Sequence, residues 1–236
     1  MVNFNKKVAI LQSNYIPWKG YFDLINSVDE FVIYDDVQYT KNDWRNRNKI
    51  KTPNGVKWLS IPVETSGRLT SGRSIRETKI VDKDWNKKHW DTIILNYSKA
   101  EYFNDYKEIF EELYQNCTNE YLSEINYAFL TKINDILGIK TNITQSNQYD
   151  LSGGRIERLI NICKSLNASE YISGPAARNY IDEDLFKQEN IKLTWMDYSG
   201  YPEYNQLYPS FEHAVSIIDL IFNQGQNSTR FMKSFG

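Results

Sequence analysis

The chain has 236 residues, of which 41% are hydrophobic and 25% charged, and a formal net charge of −2. That length fits one large domain or two small ones and can bury a core without covalent staples. The near-neutral balance excludes a general nucleic-acid or membrane-surface protein, and Cys117 and Cys163, in no CxxC motif, exclude a disulfide framework.

Two histidines are too few for a His-rich metal site. The N-terminal segment lacks a long apolar h-region, and no run approaches about 18 apolar residues. Neither an export signal nor a membrane span is expected, and the expected setting is cytoplasmic.

KVAIL at residues 7–11 reads as a buried first strand. QSNYIPWKG follows, punctuated as a loop by Pro17 and Gly20. Residues 21–27 have helical spacing, and FVIY at 31–34 is a second strand. Strand, loop, helix and strand within about thirty residues predict a βαβ unit. NKIK, the turn TPNG and VKWLSIPV predict a hairpin, and residues 64–74 a mobile loop.

Residues 85–137 read as an all-helical block of three amphipathic segments, with Gly138 as a stop. Beyond it the spacing predicts a short strand at 143–148, a helix at 153–166 and a strand at 170–174. It then predicts a helix at 177–190, a strand at 191–198 and a helix at 211–225. The polar tail from 226 is expected to fray. Strands alternating with helices at both ends imply an α/β fold with a mostly parallel sheet and a helical insertion in the middle of the chain. The whole, 1–236, reads as a single domain.

The loop QSNYIPWKG leaves the carboxyl end of the first strand, where open α/β sheets bind ligands. Gln12 and Asn14 are amide hydrogen-bonders there, and Tyr15 and Trp18 are candidates for a stacking platform. The bland alternative is a turn that buries both rings. The second strand ends in Asp35-Asp36, whose side chains must point to opposite sides. Gln38 follows, and then a basic run of Lys41, Arg45, Arg47, Lys49 and Lys51, interleaved with Asn46 and Asn48. Arginine forks match phosphate or carboxylate; a solvated hairpin edge is the alternative. His89 is the candidate general base on account of its near-neutral pKa, and His213 reads as structural. Ser173, Gly174 and Arg178 lie in a strand-to-helix turn that resembles an anion seat or, equally, a plain tight turn. The aromatic, polar loop from Tyr198 to Tyr208 would wall the same cleft.

QSNYIPWKGYFDLI, DEFVIYDDVQYTKNDWRNRNKIKTPNG and WLSIPV closely resemble the WbqC-like protein family. KKHWDTIILNYSKAEYF, EYISGPAARNYID and SFEHAVSIIDLIFNQG resemble it more loosely, so the likeness spans nearly the whole chain. Where family members often read His-Pro, this chain has Tyr201-Pro202. The resemblance marks Gln12, Tyr15, Pro17, Trp18, Asp35, Asp36, Gln38, Arg45, Arg47 and Asn48, with His89 as a second element. It implies a place in bacterial surface-polysaccharide (O-antigen) biosynthesis and aminoacyl, glycyl-type N-acyl transfer to a nucleotide-linked amino sugar. The donor implied is a phosphopantetheine-linked thioester on an acyl or peptidyl carrier protein, with no other cofactor. Asp35, Asp36 or His89 would take the amine proton, and the arginines and asparagines would hold a diphosphate or an oxyanion. A fainter likeness to nucleotidylyltransferases supports a Rossmann-like sheet, but their HxGH motif reads Trp18-Lys19-Gly20-Tyr21 here. The alternatives are a nucleotidyl- or phosphoryl-transfer enzyme with a divalent metal on Asp35 and Asp36, and a non-catalytic binding module.

Overall fold

The computed structural model describes residues 5–65 and 70–236. β1 (Lys7–Leu11), α1 (Lys19–Asn26) and β2 (Glu30–Ile33) form the expected βαβ unit, with β1 and β2 parallel and Val8 opposite Glu30. β3 (Gln38–Thr40) follows, then the hairpin of β4 (Arg47–Thr52) and β5 (Gly55–Ser60), closed where Gly55 adopts φ +97°. β6 (Thr70–Ser74) pairs antiparallel with β3. Part of the expected mobile loop at 64–74 is thus a strand, because β3 offers it an open edge; residues 66–69 lie outside the described residues.

The helical block is α2 (Trp85–Tyr97), α3 (Phe103–Gln115) and α4 (Leu122–Leu137), which ends at a left-handed Gly138. β7 (Asn142–Gln145), α5 (Arg155–Ser165), β8 (Glu170–Ser173), α6 (Glu183–Gln188), β9 (Lys192–Trp195) and α7 (Ile217–Gln224) complete the chain.

The central sheet is wholly parallel in the order β7-β2-β1-β8-β9. Strand alternation divides its residues between two cores. Ala9, Phe31 and Ile33 join the buried residues of α1, the helical block and α7. Val8, Ile10, Val32 and Tyr34 join those of α5 and Phe186 of α6. The sheet is therefore covered on both faces, as parallel sheets require. The helical block packs into the same cluster as one sheet face.

Three further expectations fail, each for a local reason. The helix expected over 177–190 is a 3-10 turn at Pro175–Asn179 and then α6, which restarts where the Asp182 side chain accepts from the Asp184 N–H at 3.0 Å. The last helix begins at Ile217 and not at 211. The Ser216 N–H is committed to Lys49 O and the Ile217 N–H to Pro17 O, at 2.8 and 2.9 Å. These bonds hold residues 211–216 in an irregular path, so His213 is not helical. The tail does not fray: Met232 is buried, and the Ser234 N–H donates to buried Asp23 at 2.7 Å.

Asp35 is fully buried and accepts from the Ser13 N–H (2.8 Å), Ser13 Oγ (2.7 Å) and Ser123 Oγ (2.5 Å). Replacing it with alanine strands those donors, at about 1–3 kcal/mol each. Asp35→Ala is expected to lose about 3 kcal/mol or more in urea unfolding followed by circular dichroism, and Asp35→Asn less.

Candidate functional site

A cleft of about 780 Å³ opens at the carboxyl ends of β1 and β8, where the strand order reverses. This is the switch point at which open parallel sheets take ligands. Leu11 and Gln12 leave β1 on one side, and Ser173 and Gly174 leave β8 on the other. Tyr34, Gln38, Asp43 and Arg45 come from the chain after β2; Gly153, Gly154, Arg155 and Arg158 come from the start of α5. Among the described residues, three guanidinium groups thus face one hollow with a single carboxylate among them.

Each charged group is braced. Arg45 donates to Asn14 Oδ1 at 2.5 Å and lies 3.4 Å from Asp43. Arg158 Nε donates to Gly153 O at 3.0 Å, and Arg155 lies over the Tyr180 ring at 3.5 Å. Burial raises the Tyr34 phenol, while Arg158 and Arg155 pull it back toward ionisation. The N–H of Gly154, the residue that caps α5, is taken by Glu157. Gly153 has φ +84°, and a Cβ there would meet Glu157 at 2.9 Å, so the turn needs glycine.

A smaller, mostly apolar pocket of about 220 Å³ adjoins the cleft, lined by Asn14, Pro17, Trp18, Trp44, Asn48 and Ala214. Its wall is the strained loop after β1. Ile16 has φ +38°, costly for a β-branched residue. Buried Asn48 holds it in place, donating to Tyr15 O and Ile16 O at 3.1 and 2.9 Å. Below it, the Tyr15 ring is packed against Trp85 and Phe129, and its hydroxyl meets Tyr114 at 2.7 Å.

The expected site residues therefore separate. Gln12, Gln38, Arg45, Ser173 and Gly174 line the cleft; Asn14, Trp18 and Asn48 line the pocket. The others lie elsewhere. Tyr15 is fully buried and is an anchor, not a stacking platform. Asp35 is sealed in its serine cage, while Asp36 pairs with Arg76 at 2.9 Å and accepts from Ser146 Oγ. The two carboxylates thus serve different networks and do not form the shared metal seat that the nucleotidyl- or phosphoryl-transfer alternative needs. Among the described residues, no cluster of three His, Cys, Asp or Glu has metal-binding geometry.

His89 is buried in the aromatic core, with Nδ1 2.9 Å from Tyr15 Oη and Nε2 3.2 Å from Ser60 O. It lines neither hollow, so the general-base expectation gives way to a structural role. Arg47 stacks on Trp58 at 4.3 Å and donates to Asn42 O; Arg178 lies over Trp195 at 5.4 Å. Both stand outside the cleft. Tyr201, at the position where the family often has histidine, donates from its hydroxyl to Asp23 at 2.5 Å.

Asp43, Arg155 and Arg158 were not singled out from sequence. The Ser-Gly-Gly-Arg run opening a helix is a signal that could have found the two arginines.

The family model for the WbqC-like protein family matches residues 12–231 of the chain. A curated relative from Mycobacterium tuberculosis (strain ATCC 25618 / H37Rv), named "Uncharacterized protein Rv1507c", is 49% identical over 228 residues, covering 97% of this chain and 98% of that protein. No solved structure matches the chain significantly. No helix among the described residues is long and apolar enough to cross a membrane.

Burial depresses the His89 pKa from its ordinary 6.5 to about 4. The unfolded chain therefore takes up a proton as pH falls through 6.5, while the folded chain does so only near 4. Stability that is complete above pH 6.5 is lost across that window, by about 3 kcal/mol. Urea unfolding at stepped pH is expected to show this loss in the native chain, and a smaller one in His89→Gln.

Proposed function

The chain belongs to the WbqC-like protein family, and from that premise we propose that it transfers an acyl group, aminoacyl in type, to the amine of a nucleotide-linked amino sugar. The setting proposed is bacterial surface-polysaccharide (O-antigen) biosynthesis, and the donor a thioester carried by an acyl or peptidyl carrier protein. The observation that carries the reading is the cleft at the sheet's switch point, where Arg45, Arg155 and Arg158 surround one carboxylate, Asp43.

The chemistry follows from those groups. A nucleotide-linked sugar brings a diphosphate, which guanidinium forks match in charge and geometry. The cleft volume of about 780 Å³ lies in the range of ligand sites that take molecules of this class. A sugar amine is a competent nucleophile once deprotonated, so the reaction needs no enzyme cysteine or serine. Both cysteines are buried, and burial holds Cys117 near 11 and Cys163 near 12. In the transfer, the amine nitrogen bonds to the thioester carbonyl carbon and the carbon–sulfur bond breaks. One amine proton passes by way of Asp43 to the departing thiolate. Asp43 takes the role first expected of Asp35, Asp36 or His89 because it is the carboxylate that lines the cleft.

Calorimetric titration of the full chain with uridine- and thymidine-diphosphate-linked 3-amino and 4-amino sugars tests the reading. Arg155→Ala and Arg158→Ala are each expected to weaken binding about tenfold or more, the worth of a charge-assisted hydrogen bond. Arg178→Ala is expected to leave it within about twofold. Asp43→Asn is expected to bind the sugar and lose turnover with an aminoacyl thioester. Binding that ignores Arg155 and Arg158 would sink the proposal, and tight binding without turnover across donors would make the protein a binding module.

A further inference from the structure

The segment after β3 partitions two hollows. Asp43 and Arg45 line the cationic cleft, while Trp44, between them, lines the apolar pocket on the other side. The linings of the two hollows touch, since Arg45 of the cleft donates to Oδ1 of Asn14, which lines the pocket, at 2.5 Å. With Oδ1 so engaged, Asn14 has its amide NH2 to offer to whatever occupies the pocket.

The pocket's dimensions and chemistry select its occupant. At about 220 Å³ it falls below the size of a nucleotide-sugar site. Its walls are Pro17, Trp18, Trp44 and Ala214, with amides only at Asn14 and Asn48. One of its walls, Trp44, also belongs to an exposed aromatic and cationic ledge. Trp44 and Trp58 are each 39% exposed with ring centroids 5.2 Å apart, and the Lys49 ammonium lies 5.8 and 5.3 Å from those rings. A small acyl group on a slender, amide-containing thiol arm that ends in a phosphate matches all three zones: apolar walls, few amides, cationic ledge.

Resting on the acyl-transfer reading above, we propose that this pocket is the donor subsite, taking the acyl group and pantetheine arm of an S-acyl-pantetheine thioester, and that Asn14 meets the thioester carbonyl. The amine then approaches from the cleft side. The new carbon–nitrogen bond forms beside Asn14, whose NH2 donates to the oxygen as it gains charge. The carbon–sulfur bond breaks, and the thiol departs along the pocket with the proton released by the amine. The phosphopantetheine arm is common to coenzyme A and to carrier proteins, and Lys49 on the ledge meets its phosphate in either case.

The test separates the two hollows in the full chain. S-acetyl- and S-glycyl-pantetheine, the matching coenzyme A thioesters, and a phosphopantetheinyl carrier protein bearing the same acyl groups are titrated calorimetrically, beside the nucleotide-linked amino sugars. Ala214 lies at the pocket's exposed edge, so Ala214→Phe fills the pocket without entering the core. It is expected to weaken thioester binding at least about tenfold, about 1.4 kcal/mol, and to leave sugar-nucleotide binding within about twofold. Arg158→Ala is expected to do the reverse, and Asn14→Ala to lower kcat more than it raises the donor KM. Ala214→Leu repeats the experiment with less bulk should the phenylalanine disturb folding. Thioester binding that ignores Ala214→Phe and Ala214→Leu, or no thioester binding at all, overturns the donor subsite while leaving the acceptor cleft standing. Failure of the sugar nucleotides alone overturns the acceptor reading and leaves the pocket's assignment intact.

Discussion

The buried carboxylate of Asp35 holds the site in place. It ends the run after β2 and gathers Ser13 of the post-β1 loop and Ser123 of α4 around its two oxygens. Asn126, one turn further along α4, adds bonds to Ser13 Oγ and to Arg45 O, both at 2.9 Å. One anion therefore ties the sheet, the helical block and the backbone that carries Arg45 into the cleft. Burial raises its pKa while the serine hydrogen bonds pull it down. A buried charge is tolerated only with such full pairing, which makes the arrangement rigid and costly to break.

Two further buried aspartates repeat the device. Asp23 accepts from the Tyr201 hydroxyl and the Ser234 N–H, and so docks both the 200–210 loop and the C-terminal segment on α1. Asp219 of α7 accepts from Tyr97, Tyr204 and Gln206, each at 2.8 Å. Lys51 of β4 adds its N–H to Tyr97 Oη at 2.9 Å and its ammonium to Ser210 O. Long segments without regular structure thus keep fixed positions through side-chain acceptors in the core. That is how a chain with so much irregular backbone satisfies its polar groups. The same economy explains the strained Ile16: Asn48 and the Tyr15 anchor fix a backbone that would otherwise relax, and the loop presents Pro17 and Trp18 to the pocket.

The division of labour along 43–48 is the functional consequence. The turn that precedes β4 sends Asp43 and Arg45 to the cleft and Trp44 to the pocket, so one short segment serves a charged hollow and an apolar one. Arg47 and Asn48 continue the stretch, but the first stacks on Trp58 and the second clamps the loop, and neither faces the cleft. The basic run read from sequence is thus mostly scaffold, with Arg45 its one contribution to the anion hollow.

Sequence by itself determined the parallel α/β sheet, the βαβ start, the hairpin and the three-helix block. Those rest on local signals: apolar runs of strand length, 3.6-residue spacing, and glycines or prolines at stops. It also singled out the end of β1, where Gln12 lines the cleft and Asn14 and Trp18 line the pocket. Tertiary structure alone decided which titratable side chains reach the cleft. Asp35, Asp36 and His89 carry the right functional groups, but their accessibility depends on distant partners, Ser123, Arg76 and Ser60, that no local pattern connects to them. Arg155 and Arg158 arrive from more than a hundred residues away, because β8 inserts beside β1 and swings the start of α5 over the strand ends. The folded C-terminal tail and the late start of α7 are likewise set by buried acceptors and by hydrogen bonds to β4 and Pro17, contacts that exist only once the sheet has closed.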